Sequence, residues 1–83
     1  MPDTWARGRV AELYTQRNVR GLPWVSFHLL TGAGSLRCVC FPRTYASVSR
    51  LLRVDRQVEL RGKPMRENAL RRAVLDVYAV PPV

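Results

Sequence analysis

Acidic residues are scarce in this chain: six Asp and Glu stand against fourteen Lys and Arg, giving a formal net charge of +8 over 83 residues. The six, Asp3, Glu12, Asp55, Glu59, Glu67 and Asp76, are scattered along the sequence. With a single histidine, His28, they offer neither the clustered carboxylates of a metal-dependent hydrolase nor a nucleophile beside a base. Cysteine is equally sparse. Cys38 and Cys40 are two apart on an expected strand and so lie side by side on one face, an arrangement poorly suited to a disulfide. They read as unpaired buried thiols of a reducing compartment. One histidine on the opposite face cannot complete the four ligands of a structural zinc site, so no metal is expected. Long apolar runs are missing as well: nothing approaches the roughly 20 residues of a membrane span. No basic segment leading into an apolar run opens the sequence, and a cytoplasmic location without a membrane partner is the expectation. The turn Thr31-Gly32-Ala33-Gly34 lacks the lysine and the following helix of a phosphate-cradling loop. No cofactor and no catalytic residue is expected.

What the chain does have is arginine and an alternating apolar pattern. An apolar content of 47% supports one modest core, so residues 1–83 read as a single domain with its core over about 6–80. Thirteen of the fourteen basic residues are Arg, Lys63 being the exception. A positive excess of this size attracts polyanions such as nucleic acid, although a G+C-rich coding sequence also supplies Arg, Ala and Val liberally.

The segment 24–42 reads as two strands joined by a glycine-containing turn. Alternation places Val25, Phe27 and Leu29 on one face and Trp24, Ser26 and His28 on the other. In the next strand Leu36, Cys38 and Cys40 form the apolar set, opposite Arg37, Val39 and Phe41. With the apolar sets inward, the outer surface carries Trp24, His28, Arg37 and Phe41, an aromatic and basic platform suited to stacked bases and phosphates, with none of the six acids expected on it. Each residue also has a plainer reading. Trp24 could pack in the core, Phe41 could close the barrel bottom, and a lone His on a sheet can be purely structural. Trp5 reads as a plug over one barrel end.

The remaining elements follow the same logic. A first strand over 6–16 breaks strict alternation between Val10 and Leu13, which predicts a bulge near Ala11 and Glu12. Asn18, Gly21 and Pro23 mark a loop over 17–23, and strands follow at 24–30 and 35–41. After Pro42, Tyr45, Val48, Leu51 and Leu52 recur at helical spacing and predict a helix over 43–53. A fourth strand is expected at 57–62, a hairpin loop at 63–69 and a fifth strand at 70–80, with Pro81, Pro82 and Val83 outside the core.

Three strands, a helix and two strands make an all-β chain with the order of the OB-fold, a five-stranded Greek-key barrel with one short helix between strands three and four. The motifs G-R-V-A-E-L from Gly8, the T-G-A-G turn, G-S-L-R-C-V-C-F-P, then Tyr45, Leu51-Leu52 and V-E-L-R-G resemble the OB domains of the bacterial DNA polymerase III alpha subunit and related anticodon-binding-type OB domains. The resemblance runs from about Gly8 to Val80. It implies single-stranded nucleic-acid binding across strands two and three and the loops at the barrel mouth. The expected contact set is therefore Trp24, His28, Arg37 and Phe41 on the strands, with Arg17 and Arg20 in the first loop and Lys63 and Arg66 in the last. The expected ligand is single-stranded DNA with little sequence preference. Two other readings stand beside it: an RNA-binding OB domain, and an adaptor docking a protein of DNA replication, repair or transfer.

Overall fold

The computed structural model describes residues 3–66 and 73–81, the side chains of Arg66 and Ala73 excepted. Five strands close into a barrel: β1 (Thr4–Arg17), β2 (Pro23–Thr31), β3 (Gly34–Cys40), β4 (Gln57–Arg66) and β5 (Ala73–Ala79), with the helix α1 (Pro42–Val48) between β3 and β4. Around the barrel the order is β1-β2-β3-β5-β4, and β4 returns to β1. All neighbours are antiparallel except β3 and β5, which run parallel. This is the OB topology that the element order predicts.

β1 can serve two neighbours because it bends. Its first half pairs with β4 from Thr4–Gly62 to Arg9–Gln57, and its pairing with β2 shifts register between Ala11 and Tyr14. Glu12 supplies the kink with φ of 52°, a left-handed conformation, so the predicted bulge lies where alternation fails. Val10 before it is fully buried, and Leu13 after it packs against the core.

The core follows the inward sets: Val10, Val25, Phe27, Leu29, Cys38, Cys40, Val58, Leu60, Leu75 and Val77, with Val48, Leu52 and Val80. Two glycines let strands approach where the barrel closes. A Cβ on Gly8 would lie 2.3 Å from the Leu30 carbonyl oxygen, and one on Gly62 2.6 Å from that of Asp76.

Two expected boundaries move. The helix ends at Val48 rather than at residue 53. Ser47, Val48 and Ser49 are poor helix formers, and the chain tightens so that the Leu51 N–H donates to the Val48 carbonyl at 2.8 Å. Leu51 and Leu52 still pack inward, but from a turn. The segment is then tied to β1: Asp55, at φ 70°, donates its N–H to Val10 O, and Val10 donates to Arg56 O. The fourth strand runs to Arg66 rather than Gly62, so Lys63 and Arg66 are strand residues and not loop residues. Pro64 is compatible with this because β1 pairs with β4 only as far as Gly62, which leaves one edge of β4 without a registered neighbour there among the described residues. Positions 67–69 of the expected loop and 70–72 of the expected fifth strand, with Arg71 and Arg72, lie outside the described residues. Among the described residues no helix is long and apolar enough to cross a membrane.

Candidate nucleic-acid interface

Strand register builds the outer face of β2 and β3 row by row. In the first row Trp24 lies opposite Gln16 of β1 and leans on Phe41, their ring centroids 5.7 Å apart and their planes tilted by 38°. The second row pairs Ser26 with Val39. The third pairs His28 with Arg37. The middle pair is buried, Ser26 at 6% and Val39 at 7% exposure, although both point away from the barrel interior. Short side chains between two rows of large ones imply a shallow trough with Ser26 and Val39 as its floor, and the Ser26 hydroxyl accepts a hydrogen bond from Gln16 Nε2 at 3.1 Å. The trough crosses the strands. Tyr14 of β1 stands opposite Ser26, Asp76 of β5 is the partner of Val39, and Lys63 of β4 is the partner of Asp76.

Trp24 is half-buried and outward, and Phe41, which caps the start of α1, remains 39% exposed. Phe41 therefore does not close the barrel. His28 is within hydrogen-bond distance of the Ser35 hydroxyl through Nδ1, at 3.0 Å, and its Nε2 lies 3.7 Å from a Glu12 carboxylate oxygen. Arg37 is half-buried beside it. The β1–β2 hairpin tip folds around Asn18, whose Oδ1 accepts from the backbone N–H groups of Arg20 and Leu22. Arg17 donates from Nη1 to the Gly21 carbonyl at 2.6 Å, so its guanidinium braces its own hairpin. Arg20 is exposed at the tip and Lys63 is exposed on β4. Arg66 lies at the β4 end opposite Ala73, its side chain outside the described set.

Two expectations are corrected by the structure. Glu12 reaches it because the bulge turns that residue out toward His28, and Asp76 reaches it through the β3–β5 register, so the face carries two carboxylates. Burial pushes the Asp76 carboxyl above its ordinary pKa, an effect partly offset by Lys63. Trp5 is no plug. It is 54% exposed on the outer side of β1, paired in register with Arg61. Tyr14, 63% exposed, joins the face because the bulge changes which β1 residues point outward. That change could not be placed to the residue from alternation, whereas the outward positions of Asp76 and Tyr78 follow from the inward Leu75 and Val77.

The two cysteines are free and buried, and burial pushes both thiols up to about 12. Among the described residues no group of three or more His, Cys, Asp and Glu could hold a metal ion. The acids of the β1–β4 side are already engaged: Glu59 with Arg7 at 2.8 Å, Asp55 with Arg9 at 2.7 Å, and Asp3 with Arg61 at 3.8 Å.

No protein-family profile matches the chain, and no curated protein matches it. Among solved structures it is similar to the crystal structure of the SSB domain of a Synechococcus sp. protein, with 18% sequence identity over 96% of this chain and 93% of that one, at a TM-score of 0.77. At that identity the likeness concerns the fold, and the chain is a five-stranded OB-type barrel with one short helix between its third and fourth strands.

Proposed function

We propose that this domain binds single-stranded nucleic acid, DNA in preference to RNA and with little sequence discrimination, in the trough across β2 and β3. The observation that carries the reading is the partly exposed Trp24–Phe41 pair standing over the Ser26–Val39 floor on a strongly basic domain. Aromatic faces stack on any base, which gives affinity without sequence readout, and cations beside them hold phosphates. Trp24 and Phe41 are the stacking residues, His28 and Arg37 form the opposite wall, and Arg20, Lys63 and Arg66 meet the backbone from the two ends. Arg17 acts by bracing the hairpin that presents Arg20, and also adds its charge. The likeness to an SSB domain supports this reading, as does the resemblance of the apolar and glycine motifs to polymerase III alpha and anticodon-binding-type OB domains. The role is binding rather than catalysis.

The test is a titration of the purified domain with single-stranded DNA of about ten to twenty nucleotides, duplex DNA of equal length and the matching RNA. One OB barrel covers about 4–16 nucleotides and stacking needs exposed base faces, so the single DNA strand binds best. Equal or tighter duplex binding would refute the stacking trough, and tighter RNA binding would reassign the ligand. Failure to bind any of the three would leave the face to a protein partner.

A further inference from the structure

The aromatic residues of the chain are unusually placed. Phe27 is in the core and Tyr45 packs against it, whereas Trp5, Tyr14, Phe41 and Tyr78 are exposed and Trp24 is half-buried on the outer surface. Large exposed rings mark contact surfaces more often than scattered aliphatic residues do. Strand register orders most of them into one line. Trp24 on β2 leans on Phe41 at the end of β3. The parallel pairing of Val39 with Asp76, continued two places along both chains, brings Tyr78 of β5 to the level of Phe41. On β4 the register shift between Arg61 and Gly62 falls opposite the segment from Val77 to Ala79, so Arg61 lies alongside Tyr78. Arg61 is in turn the partner of Trp5 on β1. Its guanidinium carbon sits 5.2 Å from the Trp5 ring centroid and 5.8 Å from that of Tyr78.

The line Trp24, Phe41, Tyr78, Arg61, Trp5 thus crosses four of the five strand-to-strand steps of the closed barrel and winds most of the way round its outer surface, about 19 Å of strand spacing at about 4.8 Å per step. Beside it Lys63, Asp76, Tyr78 and Asp3 line a shallow depression, and Asp76 pairs in register with Val39 of the trough floor. Its two acids each face a cation: Asp76 lies opposite Lys63, and Asp3 pairs with Arg61 and accepts a hydrogen bond from the Tyr78 hydroxyl. Arg61 is held by two rings, and its buried Nε has no hydrogen-bond partner among the described residues.

Resting on the function proposed above, we infer that a bound single strand does not end at the β2–β3 trough but continues over β5 and β4 to a second stacking station at Trp5, with Arg61 as the phosphate contact between the two stations. The two tryptophans, one at each end of the line, make this measurable. Trp24→Phe leaves Trp5 as the sole tryptophan reporter and keeps an aromatic ring in the trough, while Trp5→Phe leaves Trp24. Titrated with (dT)20, both emissions are quenched with the same midpoint. Trp5→Ala weakens (dT)20 binding about fivefold to 150-fold, the range of one lost stacked base, and Trp5→Phe restores most of it. Arg61→Gln lowers the magnitude of the slope of log K against log salt by about 0.7.

Quenching of Trp24 with Trp5 emission unchanged would overturn the second station while leaving the trough intact. Absence of quenching at both tryptophans, with no binding by anisotropy, would overturn the functional reading itself. The fluorescence arm does not depend on how well Trp5→Ala folds, because its report on Trp5 comes from Trp24→Phe, in which Trp5 is untouched.

Discussion

Replacing Trp24 by Ala separates a ligand-facing ring from a core ring by magnitude. A tryptophan of the core costs about 3–5 kcal/mol when truncated, enough to unfold much of a domain this small. Trp24 is different. It points outward, is only half-buried, and its main aromatic contact is Phe41 at 5.7 Å. A tilted aromatic pair contributes about 0.5–1.5 kcal/mol beyond its buried area. Adding the partial burial, Trp24→Ala costs on the order of 1–2 kcal/mol of stability, which for a domain of this length lowers the melting temperature by about 10 °C. Binding loses about 1–3 kcal/mol if a base stacks on the indole. Circular-dichroism melts give the first quantity and fluorescence anisotropy with labelled (dT)20 the second, the anisotropy being read well below the variant's transition. A Phe41→Ala variant and the double variant complete a cycle whose coupling isolates the pair. Unchanged affinity in a variant that stays folded would refute the placement of the ligand on this face. A stability loss of about 3–5 kcal/mol would refute the description of Trp24 as peripheral to the core.

Salt should weaken binding steeply: about four contacts among Arg17, Arg20, Arg37, Lys63 and Arg66 give a slope of log K against log salt near −3, at about −0.7 per phosphate on a single strand. A flat response would point to a protein interface instead. Lys63→Ala or Arg20→Ala should reduce that slope by about 0.7 and weaken all sequences alike, which titrations of homopolymers at several salt concentrations check. Gly62→Ala should destabilise by about 1–3 kcal/mol or more in denaturant unfolding, because the new methyl would meet the Asp76 carbonyl oxygen at 2.6 Å and Leu75 Cγ at 2.8 Å. A variant as stable as the parent would show that the strands can separate there. Burial above all, helped by the Cys40 charge for Cys38 and the Asp76 charge for Cys40, pushes both thiols from an ordinary 9.0 to about 12. Unfolded thiols lose their protons first, so above pH 9 the native state holds more protons and these residues make stability fall as pH rises toward 12. A thiol reagent at pH 8 should modify neither cysteine until denaturant is added, and stoichiometric labelling of the native domain would contradict their burial.

The parts of the fold that rest on local chemistry were readable in advance. Alternation in 24–41 assigns Val25, Phe27, Leu29, Cys38 and Cys40 to the core correctly, and the spacing of Val10 and Leu13 locates the bulge. What local pattern could not supply is anything set by partners distant in sequence. Leu51 and Leu52 recur at helical spacing because both must reach the core, yet they do so from a turn after the helix has ended. Pro64 reads as a loop residue until the pairing of β1 with β4 is seen to stop at Gly62. Trp5 looks like a lid until its partner Arg61 is known. The arrival of Glu12 and Asp76 on the platform likewise depends on a kink and on a parallel pairing that no short window contains. The aromatic and basic residue types on the platform were evident from the sequence, whereas their rows, and the trough between them, come from register.

The parallel seam between β3 and β5 has a consequence for how the barrel breathes. Among the described residues its register consists of Cys38 with Leu75 and Val39 with Asp76, whereas β1 and β2 or β2 and β3 are matched over seven positions each. Parallel pairing is also slightly weaker per residue. Transient opening under native conditions therefore starts at this seam, and amide hydrogens along it exchange by local opening at a smaller free energy than those of the β1–β2–β3 meander. Val39 is both a seam residue and the floor of the trough. A strand lying across the trough would span the seam like a suture, so occupancy should slow exchange there before it slows exchange elsewhere.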